Sequence, residues 1–148
     1  MFPNAKGSEL LSVLATIDPA SIAAGTVTTG WVSAANHHNL LAVIQTGALG
    51  TAATLDAKLQ QASDSSGTGA KDISGKAITQ IVKASGDNKQ ALINLRPEEL
   101  DVNGGFAYVR LSLTVGTAAS LASAQLLGVN PRYASADAQN QAAVAQIV

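Results

Sequence analysis

The chain has 148 residues, a formal net charge of −1 and no cysteine, and only 13% of its residues are charged. That length suits one domain with an ordinary core, and the missing cysteines exclude disulfides and thiolate metal sites. Nine Lys and Arg residues scattered along the chain give no basic face for phosphate neutralisation, so no nucleic acid is expected as a partner. Neither is a membrane, because no stretch reaches the ~20 apolar residues of a spanning helix.

Residues 1–7 read as a loose arm whose bulky feature is Phe2-Pro3. Residues 8–17 fit either a short helix capped by Ser8 or a first strand, and Asp18-Pro19 ends whichever forms. Residues 25–35 are rich in β-branched side chains around Trp31, which suits a strand with the tryptophan in the core. A polar turn is expected over residues 36–39 and a strand over 40–46. Across residues 54–62, Leu55, Ala57 and Leu59 share one face, while Asp56, Lys58 and Gln60 share the other. Residues 63–72 form a turn-rich loop in which Gly67 and Gly69 supply positive φ. Strands over 76–83 and 90–95 flank a hairpin tip at 85–88. Pro97 then opens one helical turn at residues 96–100.

The clearest element follows the turn at 103–105. From residue 107 onward Ala107, Val109, Leu111, Leu113 and Val115 alternate with Tyr108, Arg110, Ser112 and Thr114. Strict alternation marks a strand with one face on a core. The short link at 116–118 predicts a hairpin pairing this strand with residues 121–127. The expected fold is therefore all-β: an antiparallel, jelly-roll-like β-sandwich of seven or eight strands, with a short helical turn and extended terminal arms. The single domain divides into residues 1–24 (N-terminal arm and first element), 25–130 (sandwich) and 131–148 (C-terminal tail). The tail reads either as a frayed terminus or weak Ala-rich helix, or as an arm that orders on a neighbouring subunit. As an arm, its loss should leave the sandwich folded and weaken assembly.

No catalytic constellation is legible. His37-His38 is the only histidine pair, and adjacent strand residues face opposite ways, so one metal ion is not expected to bind both. Ser66-Gly-Thr-Gly-Ala-Lys71 lacks the glycine spacing and Gly-Lys-Ser/Thr ending of a phosphate loop. Glu98, Glu99 and Asp101 face no partner that would make an acid/base pair. Neither an enzyme nor a cofactor is expected. The candidate partner contacts are Phe2, Arg132, Tyr133, Val144, Ile147 and Val148, since aromatic and arginine anchors concentrate at interfaces.

Three segments carry a resemblance: Thr28-Thr-Gly-Trp-Val32; Ala53-Thr-Leu-Asp-Ala-Lys-Leu-Gln-Gln-Ala62 with Ser65-Ser-Gly-Thr-Gly-Ala-Lys71; and Leu126-Leu-Gly-Val-Asn-Pro-Arg-Tyr133. Together they resemble small head proteins of tailed bacteriophages encoded near the major capsid protein. The resemblance implies a virion structural protein, foremost a capsid decoration (cement) protein on the shell surface, made in the host cytoplasm. It further implies two partners, the major capsid protein and the chain itself in a symmetric homo-oligomer, with a trimer favoured. A head–tail connector or tail component is the alternative within the virion, and a host-surface glycan-binding module is the alternative outside it.

Overall fold

The computed structural model describes residues 3–148, so Phe2 lies outside the described residues. After one helical turn, α1 (Gly7–Leu10), come β1 (Leu11–Ile22), β2 (Gly25–Thr28) and the two-residue β3 (Val32–Ser33). β4 (His37–Thr46), β5 (Thr54–Ala62), β6 (Lys71–Ala77) and the short β7 (Ile81–Val82) lead to a second helical turn, α2 (Lys83–Gly86). β8 (Gln90–Leu95), β9 (Tyr108–Gly116) and β10 (Ser120–Pro131) complete the strands.

The strands form two antiparallel sheets. The first runs β1-β10-β4-β8 and the second β2-β9-β5-β6, with β3 added on β9 and β7 on β5. Leaving aside the two-residue β3 and β7, the chain changes sheet at every connection except β5–β6. This strand order is a jelly roll, the class expected from the alternation. Its core is made by the inward sets of both sheets. β4 gives Leu40, Ala42 and Ile44; β5 gives Leu55, Ala57 and Leu59; β9 gives Val109, Leu111, Leu113 and Val115. At about 25 cal/mol per Å² of apolar area, these closely packed side chains dominate the stability of the fold.

Several elements differ from expectation, each for a local reason. The link at 116–118 does not close a hairpin. β9 is already flanked by β2 and β5, and β10 by β1 and β4, so neither has an edge to offer the other. The link instead crosses between sheets through Thr117 in a left-handed conformation (φ 71°). Asp18-Pro19 does not end β1 either. The strand continues with a register shift between Ile17 and Ala20, a bulge on an edge strand where proline's missing N–H is tolerated. β1 therefore belongs to the sandwich, which begins at Leu11.

Between β2 and β3, three residues (29–31) stand opposite two on β9. Thr29 is buried here, and its hydroxyl accepts a 3.0 Å bond from the Leu111 N–H. The surplus residue turns Trp31 out of the core. It lies half-buried beneath the Arg110 guanidinium, 4.6 Å from the ring centroid. The segment 76–83 is interrupted as well: residues 78–80 leave the ladder and Lys83 opens α2. β4 starts three residues earlier than expected, at His37, where a turn was anticipated.

Candidate partner interface

The terminal segments meet at one end of the sandwich. Asn130, the penultimate residue of β10, takes a left-handed conformation (φ 55°). The next residues are tied back to β4. The Arg132 N–H donates to the Asn36 carbonyl at 2.9 Å, and its Nε donates to the His37 carbonyl at 3.0 Å. The first bond fixes the backbone and the second the guanidinium at its base, whose terminal nitrogens have no acceptor among the described residues. Tyr133 follows with 81% of its surface exposed. A groove of about 860 Å³ opens here, lined by Leu10, His38, Pro131, Arg132 and Tyr133, with Glu9 on its α1 side. Glu9 is engaged locally, accepting the Lys6 N–H at 2.7 Å.

Beyond the groove the tail is strapped to the free edge of β1. Ala136, fully buried, heads a 3-10 turn (Ala136–Gln139), and its carbonyl accepts the Ser12 hydroxyl at 2.7 Å. The Val13 N–H donates to Asn140 Oδ1 at 2.7 Å, and the Val13 carbonyl accepts the Gln141 N–H at 2.8 Å. Gln141 Nε2 donates to Thr16 Oγ1 at 3.2 Å. An edge strand exposes unpaired backbone groups, and the tail satisfies those of Val13. Past Gln141 the attachment thins: Val144 is half-buried, and Ile147 and Val148 are exposed. Of the candidate contacts, Arg132 and Tyr133 are thus brought together in one groove. Val144, Ile147 and Val148 lie on the distal tail.

His37 is the anchor that sequence reasoning missed. It is 1% exposed and packs over Gly128, with Nε2 at 3.1 Å from Ser12 Oγ. The Ser12 proton goes to Ala136, so the Ser12 oxygen accepts from His37 Nε2–H. Nδ1 is then left without a proton or a partner. Burial lowers the pKa of this histidine from its usual 6.5. His38 is exposed on the other side of the strand, in the groove, so the pair is split as the alternation requires. Among the described residues no three His, Asp or Glu side chains cluster to hold a metal ion.

The outer face of the β2-β9-β5-β6 sheet spends its charges internally. Lys58 pairs with Asp72 at 2.7 Å, Arg110 Nε donates to Gln60 at 2.9 Å, and Gln60 donates on to Asp72 at 2.8 Å. Lys58, then Gln60, hold the Asp72 carboxyl below the usual carboxylate range. At the end of this sheet Lys71 pairs with Asp101 at 2.6 Å and lies over the Phe106 ring.

No protein-family model matches the chain, and no curated protein does. Among solved structures, a chain of the empty virus-like particle of Cowpea mosaic virus is similar at 10% identity and TM-score 0.46, over 86% of this chain and 84% of that one. A chain from infectious bursal disease virus, Gt strain, is similar at 11% identity and TM-score 0.41, over 85% and 33%. A family 35 carbohydrate-binding module from an environmental isolate is similar at 15% identity and TM-score 0.36, over 79% and 77%. Likenesses of this size carry no argument about function, and the sheet topology of this chain defines its fold without them.

Proposed function

We propose that the chain is a virion structural protein, a capsid decoration protein that binds the outside of a tailed-phage shell and stabilises it. The reading starts from the resemblance of residues 28–32, 53–71 and 126–133 to phage head proteins. The observation that carries it further is the groove beside the tail. It combines an exposed tyrosine with a guanidinium fixed at its base and open at its tip, on a rigid jelly roll and next to a tail whose distal end is free to reach a neighbour. Exposed aromatic and arginine anchors of this kind dominate protein–protein contacts. The charged sheet face satisfies itself and offers no opposed acid and base, so the protein is read as a binding scaffold and not as an enzyme.

The partner in this reading is the major capsid protein. Binding only the assembled shell stabilises that shell by mass action. The test is to strip the protein from particles and add it back. Rebinding with a rise in the temperature at which the particles release DNA supports decoration. Failure to bind stripped shells, with binding to isolated tails or connectors instead, moves the protein to the alternative place in the virion. Binding to host glycans alone overturns both.

A further inference from the structure

The outer face of the β1-β10-β4-β8 sheet contrasts with its charged counterpart. Its cross-strand rows follow from the register: Ser21 beside Leu121; Ser123, Gln45 and Gln90; Thr16, Gln125, Val43 and Leu92; Val13, Leu127, Leu41 and Asn94. None of these side chains is ionisable. Leu92 is 59% exposed and Leu121 47%, and a shallow depression of about 390 Å³ opens beside Leu121 between the β1 bulge and Gln90. Charge appears only at the rim, and its sign differs between the two edges. Asp18, on the β1 edge, is exposed, and so are Lys89 and Arg96, which bracket β8. None of the three has an ion-pair partner among the described residues.

We infer that this face is the contact between two copies of the chain, packed sheet on sheet about a two-fold axis parallel to the strands. An occupant with charges would bury them against aliphatic and amide groups that cannot pair them. A second copy brings none, and amides such as Gln45, Gln90, Gln125 and Asn94 both donate and accept, so they complement themselves across a two-fold. The rim selects the axis. An axis across the strands would lay Asp18 over Asp18 and Lys89 over Lys89. An axis along the strands lays the β1 edge of one copy over the β8 edge of the other. Asp18 lies beside the row of Ser123, Gln45 and Gln90, and Lys89 directly precedes Gln90 at its other end. The second arrangement therefore forms two symmetric Asp18–Lys89 pairs. Four strands spaced ~4.8 Å, over some seven residues of ~3.4 Å each, give about 460 Å² per copy, or about 910 Å² in total, just under the ~1,000 Å² of a stable specific interface and in the range of weak, transient contacts. The contact is thus a dimer that separates on dilution and is reinforced when many copies sit on one lattice. It goes beyond the decoration reading and stands without a shell.

Sedimentation velocity on the purified chain over a range of concentrations tests it. The wild-type chain is expected to show a monomer–dimer equilibrium. Leu92→Lys with Leu121→Lys should weaken it about a hundredfold, since these are the exposed large apolar side chains of the face. Asp18→Lys and Lys89→Asp should each weaken it about tenfold, and the double charge swap should restore it. Thr114→Lys on the opposite sheet should change nothing, and circular dichroism melts confirm that each variant is folded. A wild-type chain that stays monomeric at several hundred micromolar overturns the inference. So does a dimer indifferent to Leu92→Lys, or a trimer. If the monomer still binds stripped shells and Leu92→Lys abolishes that binding, the face docks on the shell and the decoration reading survives alone.

Discussion

His37 supports the tail's anchor on Ser12, so the docking is sensitive to acid. The neutral imidazole fits its buried site, and a second proton on Nδ1 would have no acceptor. Because burial depresses the folded pKa below the usual 6.5, the unfolded chain takes up the proton first. Stability is then complete above about pH 6.5 and falls as the pH drops through it toward the folded value. Thermal melts between pH 7 and pH 5 should show this loss, and His37→Gln should remove it; a flat profile in the wild type would exclude the role. Gly128 gives a second test. A methyl group there would stand 2.5 Å from the His37 ring, so Gly128→Ala should cost about 1–3 kcal/mol, read from denaturant unfolding. At Tyr133 the expectation reverses. An exposed side chain affects stability by less than about 0.5 kcal/mol, while Tyr133→Ala should weaken shell binding at least about tenfold if the groove is the docking point. Neither His37's burial nor Trp31's turn to the surface was legible in the sequence. The first depends on a tail residue 99 positions away, Ala136, bonding Ser12. The second depends on one surplus residue opposite β9, which no single-strand pattern reveals.

Single strands were legible where one face meets the core. The alternation at residues 54–62 and 107–115 names the buried sets of β5 and β9, because period-two patterning and burial are one constraint. Connections were not legible, since a short link such as 116–118 can turn within a sheet or cross between sheets, and the choice lies with the neighbours each strand already has. The tail divides by the same logic into an anchored half and a free half. Removing residues 142–148 should leave the unfolding midpoint unchanged and report only on assembly. Removing residues 134–148 also takes the bonds to Ser12, Val13 and Thr16 and uncovers the β1 edge. At ~1 kcal/mol per hydrogen bond, that should cost about 4 kcal/mol and promote aggregation. Equal melting temperatures for the two truncations would show that the anchoring contributes nothing.

As a whole the molecule is a jelly roll with two unlike faces and a groove at one end. The β2-β9-β5-β6 face carries charges that ion pairs and amides satisfy among themselves, while the other face carries charge only at its rim. The other sheet is left neutral for a second copy, and the groove of Arg132 and Tyr133 faces a different direction for a different partner. Such a division of surfaces fits a component repeated across a lattice. The most direct measurement is therefore the number of copies per purified virion, relative to the major capsid protein, by quantitative mass spectrometry. Decoration predicts a copy number comparable to that of the shell subunit. A dozen or so copies, as expected of a closed ring, or none at all, would contradict it.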